Sequence, residues 1–330
     1  MINNLKLSSI FFAFTLILGM FMVLSSNNWF TIWMGLELNL YSFIPLMMNS
    51  VHNQEKEAAI KYFLVQALGS GLLLLGMIMN ISYTTTSIII LIALLLKTGM
   101  APMHFWFPSV MSSISWPMCL ILSSIQKIAP MFLLITTSKP MPHFIMIASG
   151  LSTIIGGIGG LNQTQLRTIL AYSSVGHMGW ILAASLYSTM MSSMYFILYV
   201  ATLTPIMLTM WTIQIKSNNQ TLTNIPTSYF LSPMMMMLLL SLGGLPPLMG
   251  FFPKLLVIYS LINTNFIMLS LILIIGSSIN LFYYLKIMYS MFFTPMNFPK
   301  TMNFMNNTTM TPIMSMSITS TLTGILFIIP

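Results

Sequence analysis

Residues 242–254 read LGGLPPLMGFFPK, a run of glycines and prolines that interrupts a long apolar stretch of the chain. Residues 94–102, LLLKTGMAP, interrupt a second apolar stretch with the same residue types. Proline lacks the N–H that a helix needs and clashes with the preceding turn, so a break is predicted in both helices. An ordinary proline kink is the alternative. A lysine beside each break, Lys97 and Lys254, favours a functional interpretation, because broken backbone inside a membrane needs protein or water around it.

The composition indicates that lipid is the solvent of this protein. Of its 330 residues, 57% are apolar and only 4% are charged, whereas a soluble domain carries roughly 25% charged residues. Each membrane-spanning helix needs about 20 apolar residues, which predicts an all-α integral membrane protein with about eleven transmembrane helices. The predicted spans are 5–24, 29–49, 58–80, 86–103, 108–136, 143–161, 168–188, 192–214, 229–262, 264–291 and 311–329.

The two breaks fall at equivalent places along the chain. Helices one to five form one group and six to ten another, and the broken helices, four and nine, are the fourth of each group. Five crossings are an odd number, so two such groups in tandem have opposite orientations, as in transporters with sites near the midplane. The predicted domains are a first repeat at 1–139, an inverted second repeat at 140–295, and a loop with a C-terminal helix at 296–330.

The cations near helix ends predict the orientation. They collect on the side of the N-terminus, where positive charge marks the inner face of the membrane. The N-terminus is therefore expected in the matrix, or in the cytoplasm in a bacterial setting, and the C-terminus in the intermembrane space. The cations on the N-terminal side are Lys6, Lys56, Lys61, Arg167, Lys216 and Lys300, and the opposite side has Lys139.

The sequence contains no candidate cofactor or metal site. Cys119 is its only cysteine, which excludes an internal disulfide, an iron–sulfur cluster and a cysteine zinc site. The glycines between 156 and 160 follow no strand and match no phosphate-binding loop, so close helix packing is their expected use. Any redox chemistry is therefore expected in partner chains.

Four charges lie well inside apolar spans: Glu37, Lys97, Lys127 and Lys254. Each would cost about 2.5–3.5 kcal/mol at a lipid-facing helix centre, so they are expected to face the protein interior. A structural ion pair, or a lysine that reaches for the membrane interface, explains any one of them, but four together favour a proton relay. Glu37 is expected to pair with Lys97, and such a pair at ~4 Å gains about 4 kcal/mol at an effective dielectric near 20. Pumping a proton against ~100 mV costs about 2.3 kcal/mol, so opening this pair can gate a proton.

Histidines and further acids complete the list of candidates. His104 follows the first break and His177 lies in the seventh span. Each is either a bridge between lysines, since imidazole donates and accepts, or a structural histidine. Glu55 and Glu57 are expected in a solvated loop beside Lys56.

Five segments together resemble a known family. It is the antiporter-like family of the mitochondrially encoded second subunits of NADH:ubiquinone oxidoreductase, respiratory complex I, from invertebrates. The resemblance implies that Glu37 and Lys97 form the coupling pair, that Lys127 is the central relay and that Lys254 is the terminal lysine. The segments are 33–39 WMGLELN, 96–106 LKTGMAPMHFW, 126–130 QKIAP, 173–180 SSVGHMGW and 243–254 GGLPPLMGFFPK.

The resemblance also implies partners and location. Members translocate protons as quinone is reduced elsewhere in the complex, while NADH, FMN, the iron–sulfur clusters and ubiquinone are bound by partner subunits. The expected partners are the other membrane-arm subunits of a hetero-oligomer in the mitochondrial inner membrane and lipids such as cardiolipin, with no nucleic acid. The two repeats differ, since helix seven has His177 but no acid matching Glu37, and helix ten has no midspan lysine matching Lys127.

Two other functions remain as alternatives. A stand-alone cation/proton antiporter shares these repeats, but more buried carboxylates would be expected for Na⁺ than the single one at Glu37. A purely structural membrane scaffold predicts that the buried charges are dispensable. Proton pumping by variants of Glu37 and Lys127 separates the proton-translocating subunit of a redox pump from the scaffold.

Overall fold

The computed structural model describes residues 7–48, 53–79, 83–138, 140–212, 231–246 and 248–293. All regular elements in these ranges are helices, and no strand occurs among them. The helices are α1 Leu7–Ser25, α2 Trp29–Met47, α3 Asn53–Ile78, α4 Tyr83–Thr98, α5 Trp106–Ser113, α6 Trp116–Ser123, α7 Ile125–Thr137, α8 Pro142–Leu161, α9 Leu166–Ser185, α10 Thr189–Thr212, α11 Leu231–Gly243, α12 Phe251–Asn263 and α13 Ile267–Phe293.

The described helices are those of a multi-pass membrane protein. By length and composition, six segments can cross a bilayer: Leu7–Ser25, Asn53–Ile78, Trp116–Thr137, Pro142–Leu161, Thr189–Trp211 and Ile267–Tyr289. Shorter apolar helices accompany them at Thr85–Thr98, Pro233–Gly243 and Phe251–Asn263. The all-α membrane architecture is confirmed. The helix predicted at 311–329 lies outside the described residues, so the count of eleven stays a prediction.

The predicted fifth helix, 108–136, was wrong as a single element. The structure divides this stretch among α5, α6 and α7, and only Trp116–Thr137 is long enough to span. Pro117 is the second residue of α6, where a missing N–H costs nothing, and Ser115 before the helix has extended backbone with a ψ of 155°. The chain therefore begins a new helix at this point although its apolar composition continues.

The chain forms two compact units that divide between Ser152 and Thr153, within α8. In the first unit, α1 crosses α2 at glycines, and a Cβ on Gly19 would come 2.9 Å from the carbonyl oxygen of Gly35. Helix α3 packs on α4 and α5, and α7 packs on α4. Small residues at such a crossing let membrane helices approach closely. Helices α2, α3, α4 and α7 surround a common interior.

Both predicted helix breaks are present. Helix α4 ends at Thr98 and is followed by Gly99 with a φ of 71°, while α11 ends at Gly243 and is followed by Gly244 with a φ of 79°. A left-handed residue of this kind commonly terminates a helix, and glycine adopts it without strain. The break after α4 is closed by side chains, because the Trp106 indole N–H donates to the Leu96 carbonyl at 3.0 Å.

In the second unit, α9 is the central helix, and nearly all of its side chains are buried. Helices α10, α12 and α13 pack on it, and α11 packs on α10 and α13. The glycines of α8 allow close approach: a Cβ on Gly156 would lie 2.7 Å from the backbone nitrogen of Gly176, and one on Gly160 would meet the Tyr283 ring at 2.7 Å. Helix packing is thus their use, as predicted.

Candidate functional site

The first unit contains a small polar cavity between its buried lysines. Lys97 is 6% exposed, Lys127 is 3% exposed, and both line the same cavity of about 20 Å³. A cavity needs roughly 10–15 Å³ of such space to hold a water molecule, so this one is large enough for one. The lining residues are Leu36, Asn39, Leu40, Tyr62, Gln66, Lys97, Thr98, Trp106, Phe107, Leu122, Gln126, Lys127 and Pro130.

Lys97 reaches the cavity because it lies in the last turn of α4, directly before the break. Its stem runs along α3 at Gly69, where a Cβ would come within 3.0 Å of the lysine Cγ. Its backbone carbonyl accepts a hydrogen bond from the Gln66 side chain at 3.2 Å. Helix α3 therefore both makes room for the lysine and satisfies the backbone that the break exposes.

Lys127 is the third residue of α7 and lies in its first turn, which directly follows the N-cap residue Ser124. Its Nζ stands over the ring of Phe107, 4.0 Å from the ring centroid. The face of an aromatic ring attracts a cation, and in a desolvated place this contact is worth about 2 kcal/mol. Phe107 comes from α5, so the broken segment after α4 supports the second lysine as well as the first.

Glu37 is half-buried on α2, and its charge acts on both Lys97 and the Tyr62 phenol. Its helix lines the cavity through Leu36, Asn39 and Leu40. The structure therefore brings three of the predicted site residues, Glu37, Lys97 and Lys127, to one region of the first unit.

Sequence reasoning missed the uncharged polar groups of this cavity. The Tyr62 hydroxyl donates to the Gln126 side-chain oxygen at 3.4 Å. The Gln126 amide nitrogen and the Asn39 amide oxygen are buried, and neither has a hydrogen-bond partner within the described part of the chain. The first group is a donor and the second an acceptor, and the Asn39 oxygen lies against Gly19 of α1. The sequence indicated these two amides only by their nearness to charged residues, since Asn39 follows Glu37 by two positions and Gln126 directly precedes Lys127.

His104 is buried at the break itself and is not among the residues that line the cavity. Its Nδ1 lies 3.3 Å from the Pro102 carbonyl oxygen, and its ring packs on Phe105 with centroids 4.2 Å apart. These contacts fit the structural interpretation of His104. The bridging role stays a prediction.

Lys254 is buried at the corresponding break of the second unit. It lies in the first turn of α12, and its Nζ donates to the Gly243 carbonyl at the end of α11, 2.7 Å away. Cations are favoured at the carbonyl end of a helix, where unpaired carbonyls carry partial negative charge. A Cβ on Gly244 would come 2.8 Å from the same Nζ, so glycine leaves the space that the ammonium needs.

His177 lies in the middle of α9 among tyrosines. Its Nδ1 is 3.2 Å from the Tyr195 hydroxyl, and its ring packs on Tyr199 with centroids 5.2 Å apart. The structure thus gives His177 a hydrogen-bonding partner that the sequence did not indicate.

The expectation for Glu55 was wrong. The structure places it in the first turn of α3, only 8% exposed, whereas Lys56 and Glu57 are exposed as expected. The helix begins at Asn53, before the predicted boundary at 58, which turns Glu55 toward Ala58 and Ala59 on the buried side. An acid in the first turn is stabilised by the helix N-terminus.

Similarity to known proteins establishes the family. A family profile described as the transmembrane region of NADH:quinone oxidoreductase and Mrp antiporter proteins matches residues 26–88 and 78–280. The NADH-ubiquinone oxidoreductase chain 2 of Lumbricus terrestris is 47% identical over 284 residues, which cover 84% of each chain. The chain belongs to the NADH-ubiquinone oxidoreductase chain 2 family. Its member from Locusta migratoria is 40% identical over 300 residues, covering 87% of this chain and 85% of the relative. The resemblance of the five segments is thereby confirmed.

Solved structures share the fold of this chain 2 family member. A chain of respiratory complex I from Thermus thermophilus matches with a TM-score of 0.84 and 23% identity, over 98% of this chain and 79% of that one. A chain of the Mrp complex from Dietzia matches with a TM-score of 0.77 and 18% identity, over 84% and 59%. The antiporter-like fold is therefore common to all three.

Proposed function

We propose that this chain is the second membrane-arm subunit of a mitochondrial NADH:ubiquinone oxidoreductase and that it moves protons through the cavity of its first unit. The observation that carries the proposal is that two buried lysines, Lys97 and Lys127, line one water-sized cavity within reach of the Glu37 charge. Buried ionisable side chains in membrane helices mark ion and proton pathways, because their burial is otherwise unfavourable.

The proposed step is a proton transfer controlled by a neighbouring charge. While Glu37 is close, it stabilises the Lys97 ammonium. When Glu37 moves away, an N–H bond of Lys97 breaks and the proton passes to water in the cavity. That water gives a proton to a neutral Lys127, whose new positive charge lies on the face of Phe107. Lys254 is the terminal lysine of the proposed relay.

The energy for this movement comes from partner subunits. NADH, FMN, the iron–sulfur clusters and ubiquinone are assigned to those subunits, as the resemblance of the five segments implies. The family to which this chain belongs supports the enzyme, the hetero-oligomeric assembly and the mitochondrial inner membrane. The inverted five-helix repeats, the matrix-facing N-terminus, the intermembrane C-terminus and contacts with lipids such as cardiolipin are further parts of the proposal.

The test is proton pumping by the assembled complex. Glu37→Gln and Lys127→Ala are introduced separately, and the complex is reconstituted in liposomes. We expect fewer protons translocated per NADH oxidised in both variants, because one removes the controlling charge and the other the acceptor. Glu57→Gln and Lys61→Ala change exposed residues of the same types and are the matched controls. Normal pumping by both buried-site variants in fully assembled complex would leave the scaffold as the better explanation.

A stand-alone cation/proton antiporter is the second candidate, and the matching family profile, whose description includes Mrp antiporters, favours it. Exchange of Na⁺ for H⁺ by the isolated chain in liposomes, without NADH, would support this candidate.

A further inference from the structure

The second unit contains four tyrosines buried within its membrane helices. Tyr195 and Tyr199 lie on α10, Tyr283 and Tyr284 lie on α13, and each is at most 2% exposed. We call these four residues the tyrosine cluster. Ser173 and Ser174 of α9 are buried among them and interact with Tyr284 and Tyr199, respectively. The cluster is a large group of hydroxyls for the interior of an apolar bundle.

Most of these hydroxyls lack a regular hydrogen bond. Tyr195 is paired with His177, but the hydroxyls of Tyr199, Tyr283 and Tyr284 have no partner at hydrogen-bonding distance and angle within the described residues. The Tyr283 and Tyr284 hydroxyls also lie close enough to interact with each other and with Ser173. Because an unpaired buried hydroxyl is unfavourable, several in one place indicate a site with a function beyond packing.

The cluster connects Lys254 with His177. The Tyr284 ring packs at Gly243, where a Cβ would lie 3.5 Å from it, and the Gly243 carbonyl is the group that holds the Lys254 ammonium. Tyr284 in turn acts electrostatically on Tyr199, whose ring packs on His177. The tyrosine rings therefore link the helix break, where Lys254 is held, to His177 in the middle of α9.

The spacing of the two units points to the same assignment. Tyr284 follows Lys254 by 30 residues, as Lys127 follows Lys97 by 30. In both units a buried tyrosine interacts with an ionisable residue of the preceding helix. Tyr62 of α3 interacts with Glu37 of α2, and Tyr195 of α10 interacts with His177 of α9. Each unit thus has a buried tyrosine beside an ionisable residue of the preceding helix, although Lys97 precedes its break and Lys254 follows its own.

We propose that the tyrosine cluster, with Ser173, Ser174 and His177, is a second proton-conducting site that binds water and serves Lys254. This inference rests on the proposed function. A hydroxyl both donates and accepts, so each phenol can receive a proton on one side while giving its own to water or to His177 on the other. No phenol becomes charged overall, and the number of protons is conserved at every step. The second unit thereby passes protons although Lys254 is the one buried lysine among its described residues.

Tyr284→Phe and Tyr199→Phe test the assignment, because phenylalanine keeps the ring and its packing and removes only the oxygen. In assembled complex reconstituted in liposomes, we expect a severalfold loss of protons translocated per NADH in each variant. NADH oxidation with an artificial electron acceptor is expected to be unchanged. Tyr289→Phe, on the same helix as Tyr284 but 63% exposed, is the matched control and is expected to pump normally.

Normal pumping by both cluster variants would overturn the inference. So would failure of both to assemble while Tyr289→Phe assembles, since that result would assign the hydroxyls a purely structural role. If only one of the two cluster variants assembles, normal pumping by that variant overturns the inference and a severalfold loss supports it. A defect in Lys127→Ala together with normal pumping in Tyr284→Phe would remove this inference and leave the proposed function intact, whereas normal pumping in both would remove both.

Discussion

Phe107 offers a sharp test of how the first unit handles a positive charge. Its ring lies under the Lys127 ammonium, 4.0 Å from Nζ to the centroid, and it is fully buried. Phe107→Leu removes the aromatic face and keeps an apolar side chain. The contact is worth about 2 kcal/mol in a desolvated site. At 1.36 kcal/mol per factor of ten, this corresponds to a roughly thirtyfold shift between the charged and neutral forms of Lys127.

The substitution is expected to leave the fold intact. Truncating a buried phenylalanine to alanine costs about 3–5 kcal/mol. Leucine fills much of the space that alanine would leave empty, so Phe107→Leu is expected to cost less. The loss of function is therefore expected to come from the lysine, because a less stable ammonium is a poorer proton acceptor in the proposed relay.

The assay compares Phe107→Leu with Phe105→Leu in the assembled complex. Phe105 is two residues away on the same broken segment, but it is 76% exposed and does not line the cavity. We expect fewer protons per NADH with Phe107→Leu and no change with Phe105→Leu. Equal pumping by the two variants, at equal assembly, would refute the view that the aromatic face supports the charge of Lys127.

Two further predictions concern the helix breaks. Gly244→Ala places a Cβ at a φ of 79° beside the Lys254 ammonium, and the left-handed conformation alone costs about 1–2 kcal/mol, so a lower thermal stability of the assembled complex is expected. Gly71→Ala, on α3 with open space around it, is the control, and equal melting temperatures would contradict the strain argument. Trp106→Phe removes the indole hydrogen bond to the Leu96 carbonyl, which still accepts from the Gly99 N–H at 3.2 Å. A loss of about 0.5–1.5 kcal/mol is therefore expected, and the same measurement detects it. An unchanged melting temperature would show that another donor replaces the indole.

Much of the fold follows from local chemistry. A chain with 57% apolar and 4% charged residues belongs in lipid whatever its tertiary structure. Glycine and proline act on their own backbone, so the breaks at Gly99 and Gly244 were predictable at both places. The division of 108–136 into shorter helices was missed because apolar composition continues across Pro117 and conceals the new start.

The candidate site was predictable only as far as its charges. Glu37, Lys97 and Lys127 were apparent because charge inside an apolar span is unfavourable and therefore conspicuous. Tyr62, Gln126 and the tyrosine cluster were not, because amides and phenols are common in membrane helices and many face lipid headgroups or neighbouring helices.

The sequence by itself therefore determined the solvent, the helical class, the two breaks and the ionisable residues. Each of these depends on properties of a residue and its chain neighbours. Only the tertiary structure decided that Lys97 and Lys127 share a cavity, that Phe107 lies under one of them, and that Tyr284 packs beside the carbonyl that holds Lys254. These relations join residues on different helices. The direction in which a helical side chain points is set by the packing of its helix against the others, which no local pattern records.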